Sequence, residues 1–501
     1  MELQNEEVLQ MSQRSRQYVR DPRYRTGRRY RKQPARFFAA LALLLISATL
    51  IIAAFRFLPG LMPGQPDQTT TTMSGTIPAN TDTTSAPAAT PTPAPLPPHV
   101  NPLLLPLAEF IVRKAGPPAA GLSPAELGLT SNLFDGSGSP VAEFSRSNRI
   151  SLLAPALYNQ IPGVLTFRGN NFRNAPAFGL TNLKDKKLEQ IWTSPVGSLP
   201  SSSWSFSWTG TGWTGQPLLV QWDEDVRRLM NIREDKKNKK NLIEVIYATM
   251  DGNVYFYDID DGVQTRPPIR IGAPVKGTPG IDPRGYPVLY VGQGDRNSNV
   301  TGIGFRIYNL IDQSLLLYKE TTDNNANRKN WGASDSSPIF DAASDTLIFP
   351  NENGLIYTAR MNTHFNRETG ELSIDPVFHS YRYNMPGLNL HGIESSMAVY
   401  DGYGFYSDNS GFINCLDLNS LKPVWSRNLG DDSDVTPVLD LEGDRAVLYI
   451  ATEVDWQKDI IGDYKGTSFV YKLDAMTGEV IWEAYYDCWT RNAANFGEDI
   501  N

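Results

Sequence analysis

The chain has 501 residues, 41% of them apolar, enough for two or three ordinary domains or one large repeat domain. Its net charge is −8, yet residues 1–36 hold ten Lys or Arg against four Asp or Glu, which leaves about −14 for the rest. An acidic main body argues against nucleic acid as a partner, because phosphate binding needs a basic face.

Residues 1–36 are polar and Arg-rich and read as a cytoplasmic tail. Residues 37–58 read as a membrane helix. Phe37 to Phe55 is an uncharged run of 19 residues, long enough at about 1.5 Å per residue to span a bilayer core. The basic flank keeps the N-terminus inside and sends the C-terminal bulk out of the cytoplasm. A cleaved signal peptide is the competing reading. The long basic leader and the lack of a small-x-small site or lipobox cysteine favour an uncleaved anchor. Residues 59–100, rich in Pro, Thr, Ala and Ser, read as an extended, unfolded stalk. Residues 101–162 form an irregular connecting segment, with a short helix expected over Leu103 to Arg113.

From about Ile150 a β pattern begins. Its clearest unit is Phe469 to Trp482: alternating residues to Leu473, turn chemistry from Asp474 to Gly478, and a second strand from Val480. Cys415 to Trp425 repeats it, and Val254 to Gly262, Phe305 to Tyr318 and Leu355 to Ser373 are weaker copies. Inner strands align as Gly215–Leu219, Gly277–Ile281, Ser336–Phe340, Ser395–Val399 and Val435–Leu439. They are spaced 62, 59, 59 and 40 residues apart at the Pro or Met position. Second strands follow at 245–250, 288–292, 346–350, 404–407 and 447–451. Four-stranded units at such spacing predict an all-β propeller over 163–501, about five complete units plus a partial one, with sheets stable only against their neighbours. Trp192, Trp425 and Trp482 are expected to pack on the next unit. Asp417 and Asp474 should bond turn amides, and Gly478 should supply a positive φ.

Val470 to Trp482 resembles the PQQ-repeat of quinoprotein-like β-propellers, "V-Y-A-L-D-A-x-T-G-x-x-x-W", and Phe167 to Arg173 resembles the "F-R-G-x-x-R" element before the first blade. The resemblance implies either a quinone-dependent dehydrogenase or a non-enzymatic scaffold. The family's best-known scaffold supports outer-membrane protein assembly through peptide contacts. The dehydrogenases often carry adjacent cysteines, which Cys415 and Cys488 are not. No catalytic residue, quinone site or calcium-ligand set can be assigned, so neither PQQ nor calcium is expected. No zinc spacing or Ser/His/Asp set is evident either.

Cys415 reads as a buried thiol, with a Cys415–Cys488 bond as the alternative. Asp431 and Asp432, with Asp434, read as a hydrated loop. Lys236 to Lys240 reads as a solvated insertion, or more sharply as a contact for an anionic polymer. Loops entering the inner strands should gather at one propeller mouth. Candidate ligand contacts there are Trp208, Trp213, Lys329, Trp331, His391, Glu394, Asp434, Trp489 and Arg491, with Trp204 and Phe206 nearby. Leu188 to Ser194 looks like an outer strand lacking its inner three, so the ring is expected to be open or the sequence truncated. The expected function is a membrane-anchored binding or assembly scaffold. A tethered quinoprotein oxidoreductase and a cell-wall glycan-binding module are the alternatives.

Overall fold

Alternating apolar residues and tight Asp/Gly turns fold the chain into successive antiparallel meanders. The computed structural model describes residues 116–179, 184, 186–212, 215–388, 391–455 and 464–490, with backbone alone for 464–465 and 487–490. The chain divides into two units, Met1–His99 and Val100–Asn501. The expected tail, membrane helix, stalk and Leu103–Arg113 helix lie outside the described residues. Among the described residues no helix is long and apolar enough to cross a membrane.

Five sheets follow one another in the second unit. Sheet I pairs Gly163–Val164, Leu218–Val220, Glu244–Ala248, Asn253–Asp258 and Ile269–Arg270. Sheet II pairs Gly280–Ile281, Val288–Gly292, Gly304–Asn309 and Leu315–Glu320. Sheet III pairs Ile339–Asp341, Thr346–Pro350, Ile356–Arg360 and Val377–Asn384, then adds the hairpin Thr130–Asp135 and Pro140–Val141 at its outer edge. Sheet IV pairs Ala398–Tyr400, Tyr403–Asp408, Phe412–Asp417 and Lys422–Asn428. Sheet V pairs Val438–Glu442, Arg445–Ala451, Tyr464–Asp474 and Val480–Thr490.

Each apolar core cluster is shared by consecutive sheets, as units that bury their faces only against neighbours require. Leu218 and Phe256 of sheet I meet Ile281 and Val291 of sheet II. Phe305 of sheet II stacks on Phe349 of sheet III at 4.1 Å. Ile348 and Tyr381 of sheet III meet Val399 and Leu416 of sheet IV, and Phe405 and Trp425 of sheet IV meet Leu448 and Leu473 of sheet V.

One docking contact recurs between units. Trp425 Nε1 donates to Ala475 O of the next sheet at 3.1 Å, and its ring lies over Gly478, where a Cβ would stand 2.8 Å from it. Gly478 has φ +73°, and Asp474 Oδ1 accepts from the amides of Met476 and Thr477. Trp192 repeats the contact on sheet I: its Nε1 donates to Ile259 O at 2.7 Å, and its ring covers Gly262. Trp482 departs from the expectation. It stays 42% exposed beside Tyr449, because no further sheet stands against it among the described residues.

The segment Gly163–Asn174 threads past the inner strands of all five sheets. It pairs Gly163 with Val220 in sheet I. Leu165 O accepts from Ile281 N in sheet II, and Thr166 Oγ1 donates to Pro338 O in sheet III. Asn171 O and Phe172 O accept from Val399 N and Leu439 N in sheets IV and V. Arg173, fully buried, donates to Met397 O, Thr166 Oγ1, Phe167 O and Ser337 O. The thread thereby satisfies sheet-edge groups that would otherwise be orphaned.

Four expectations need correction. Inner-strand pairing begins about three residues later than read, after the Pro or Met, because the hydroxyl residue before it bonds sideways to the neighbouring unit. Ser337 N donates to Ser396 Oγ, and Ser396 N to Thr436 Oγ1. The partner of Ile356–Arg360 is Val377–Asn384, while Leu372–Ser373 closes a small separate hairpin with His364–Phe365. Lys236 and Lys239 are not a solvated face: both are drawn onto Asp258, with further bonds to Asp261 and Asp260. Asp431, Asp432 and Asp434 are buried rather than hydrated. Cys415 is a free, buried thiol whose pKa burial pushes well up.

Candidate functional site

Inner strands are entered by a four-residue approach ending in hydroxyl-Pro or hydroxyl-Met. Its first residue is Lys276 for sheet II, Asp335 for III, Glu394 for IV and Asp434 for V. The sideways hydroxyl bonds hold these approaches shoulder to shoulder, so charged residues at one repeat position converge. Tight turns between second and third strands add a second circle. Asn351–Gly354 contributes Glu352, and Asp408–Gly411 contributes Asn409 at the equivalent position. Each turn is locked by a side chain on its own backbone, Asn351 Oδ1 from Asn353 N and Asp408 Oδ1 from Ser410 N.

Carboxylate oxygens of Asp335, Glu352 and Glu394 all lie within 4.8 Å of one another, a set that can hold one cation. Lys276 Nζ stands 3.1 Å from Asp335 Oδ2. Asn409 Nδ2 links the rest, 3.2 Å from Glu394 Oε1, 3.2 Å from Asp434 Oδ1 and 3.4 Å from Asp432 Oδ2, while its Oδ1 accepts from Arg328 Nη1 at 3.3 Å. Trp331 Nε1 donates to Glu352 Oε2 at 2.5 Å, and Glu352 Oε1 is buried without a hydrogen-bond partner among the described residues.

Crowding five carboxylates against two cations in a dry place keeps protons on the acids. Burial, against the pull of Lys276, raises Asp335 to about 7. Burial and then Asp335 raise Glu352 to about 8. Burial and then Glu352 raise Glu394 to about 8, and burial with Glu394 and Asp455 raises Asp432 to about 8. Lys276 is itself pushed up by its acidic neighbours despite burial.

An aromatic hairpin flanks the acids. Ser198–Pro200 pairs with Ser207–Thr209, and Asn297 Nδ2 donates to Pro200 O to pin it down. Trp204 and Phe206, 59% and 49% exposed, stack at its tip, and Phe206 meets Trp208 edge-on at 4.8 Å. Lys276 Nζ lies 5.8 Å from the Trp208 ring, which joins hairpin to acids.

Of the expected contacts, Glu394, Asp434, Trp331 and Trp208 come together here. Lys329 is exposed beside them. His391 turns into the core against Tyr383, near Ser410 Oγ, and burial lowers it to about 4. Trp213 and Arg491 lie outside the described residues. Trp489 pairs with Lys465 on the outermost strand of sheet V, not on an inner-strand loop, and its side chain is not described. Sequence reasoning missed Lys276, Asp335 and Glu352. The first two occupy the repeat position of Glu394 and Asp434, so the strand alignment already contained them.

No protein-family model matches the sequence, and no curated protein matches it. Among solved structures, BamB from Moraxella catarrhalis is 15% identical with a TM-score of 0.32, over 50% of this chain and 62% of that one, so this chain spans less than two thirds of that protein's length. A europium-containing methanol dehydrogenase is 11% identical with a TM-score of 0.38, over 66% of this chain and 79% of that one. A quinohemoprotein alcohol dehydrogenase from Comamonas testosteroni is 12% identical with a TM-score of 0.37, over 65% of this chain and 67% of that one. In its repeated four-stranded antiparallel meanders the chain is similar to the PQQ-repeat, quinoprotein-like β-propellers.

Proposed function

We propose that the chain is a non-enzymatic binding scaffold, anchored in a membrane by residues 37–58 and displaying sheets I to V outside the cytoplasm as an open crescent. Its ligand is a peptide segment that offers a Lys or Arg side chain to the acids and an apolar residue to the aromatic hairpin. The observation that carries this reading is the convergence of Asp335, Glu352, Glu394, Asp432 and Asp434 beside exposed Trp204 and Phe206. An ammonium or guanidinium entering there displaces protons from the acids and gains charge-assisted hydrogen bonds in a partly desolvated site.

A quinone cofactor fits this donor set poorly. Pyrroloquinoline quinone is a tricarboxylate and calls for cationic partners. The two cations here are already engaged, Lys276 with Asp335 and Arg328 with Asn409. The three acids suit a divalent cation better than they suit the quinone.

The test is titration of the full chain with a short peptide carrying Lys or Arg beside Trp or Leu. Affinity should fall about tenfold or more in Glu352→Gln or Glu394→Gln, and also in the double variant Trp204→Ala/Phe206→Ala. Equal affinity in all of them sinks the assignment. A parallel titration with pyrroloquinoline quinone and Ca²⁺, followed by dye reduction with an alcohol, decides against the scaffold if the quinone binds stoichiometrically and turns over.

A further inference from the structure

Among the described residues, sheet III alone carries an added outer hairpin, Thr130–Asp135 with Pro140–Val141, in register with Val377–Asn384 so that Asp135 faces His379. Where this hairpin meets the last strand of sheet II, a cavity of about 370 Å³ opens. That volume lies at the low end of ligand pockets, which run from about 300 to 1,000 Å³, and suits one or two sugar rings.

The cavity is built rather than incidental. Asp135 Oδ1 gathers the amides of Ser137 and Ser139 and the Ser137 hydroxyl, which shapes the hairpin tip. Asn325 Nδ2 donates to Gly138 O at 2.7 Å and ties that tip to the opposite wall. On that wall Asp323 Oδ1 accepts from Asn325 N. Asp323 Oδ2 also accepts from the Tyr357 hydroxyl at 3.4 Å, so both lining carboxylates hold the walls; they keep their charge, and an anionic ligand must meet Lys319 clear of them.

Lys319 is the group these roles leave over. It lines the cavity from the last strand of sheet II, its Nζ 5.3 Å from the Tyr357 ring centroid and 5.7 Å from that of Phe378. No carboxylate comes within ion-pair distance of it among the described residues. The rings hold the ammonium in place without neutralising it. Asn324 also lines the cavity, exposed and with no side-chain hydrogen bond among the described residues, and Thr322, His379 and Ser380 complete a mostly polar surface.

A half-buried, unneutralised ammonium in a polar cleft of this size selects an anionic ligand rich in hydroxyls. We propose that this cleft binds a carboxylated sugar of the uronic-acid type, with Lys319 taking the carboxylate and Asn324 a ring hydroxyl. The site lies on the outer strands of sheets II and III, its lining residues distinct from the acids of the mouth, so it stands whether or not the peptide assignment does.

Calorimetric titration of the full chain with glucuronate, glucose, acetate and a tetrameric oligoglucuronate tests it. Glucuronate should bind at least tenfold more tightly than either glucose or acetate. Lys319→Met, which keeps the stem on Tyr357, should bring glucuronate down to the level of glucose. Asn324→Ala should weaken it severalfold with an unchanged melting midpoint. Tighter binding of the tetramer identifies a glycan chain as the source, and equal binding a free sugar acid. Acetate matching glucuronate, no saturable binding of either uronide, or a Lys319→Met protein that binds as the parent does would overturn the proposal.

Discussion

Arg173 shows how much one side chain carries here. It is buried with no carboxylate beside it, and burial lowers its pKa to about 10. Its guanidinium is held by four oxygens, three of them backbone carbonyls, from the thread and from sheets III and IV. Arg173→Met should cost at least about 3 kcal/mol, because several buried acceptors lose their donor at once. Arg173→Lys should rescue little of that, since a point ammonium cannot span the fork. Chemical denaturation of the three proteins measures both. Glu352 makes the opposite case. Its carboxyl sits against Asp335 and Glu394 with one oxygen unpartnered. Glu352→Gln should therefore stabilise the chain by about 1–3 kcal/mol at pH 8 while weakening cation binding. A Gln variant that is less stable at that pH would show the carboxylate to be well paired.

At the scale of the strand pair, the Trp-on-Gly contact sets the geometry between units. Trp425→Ala removes the largest fully buried side chain and should cost about 3–5 kcal/mol. Gly478 and Gly443 both have positive φ, but a Cβ meets the Trp425 ring at Gly478 and open space at Gly443. Ala at Gly443 should cost about 1 kcal/mol and Ala at Gly478 about 1–3 kcal/mol more. Equal losses would mean that the ring moves aside freely.

These elements also mark what could be read in advance. Asp474, Gly478 and Trp425 were legible because each has a local job whose chemistry allows few substitutes. The Leu355 to Ser373 hairpin was misread because Asn366 and Gly370 cap a real turn, Asn366 Oδ1 accepting from Glu368 N, but in an inserted hairpin. The true outer strand, Val377–Asn384, carries no Trp to announce it. Glu394 and Asp434 were found as loop charges. Their equivalents Lys276 and Asp335 needed the repeat alignment to be carried three residues upstream of Pro. That Asp431, Asp432 and Asp434 are buried was not legible, since nothing local distinguishes an acid facing water from one that, like Asp432 and Asp434, faces Asn409.

For the molecule as a whole, the clustered acids set a pH dependence. Glu352, Glu394 and Asp432 hold protons in the folded chain to about pH 8, whereas unfolded carboxyls release them near their ordinary values of 4.5 and 3.8. Between those limits the folded state binds more protons at these sites, so the stability these three acids contribute is intact below about pH 4 and is lost as pH rises toward 8. Melting midpoints measured from pH 5 to pH 8 should fall, and the fall should shrink in a Glu352→Gln/Glu394→Gln variant. Peptide binding should run the other way and tighten with rising pH, because the cation replaces protons.

The thread of Gly163–Asn174 bears on how such a chain is made. Its bonds to sheets III and V close loops of 172 residues, from Thr166 to Pro338, and 265 residues, from Asn174 to Leu439. A ribosome delivers the thread first and its last partner some 260 residues later. Its partners arrive in turn, Val220 of sheet I, Ile281 of II, Pro338 of III and Val399 of IV, so the thread is engaged early and completed last. Maturation therefore ends when Leu439 gives the thread its last partner. Refolding from denaturant should show one slow, late phase that Arg173→Met removes or delays.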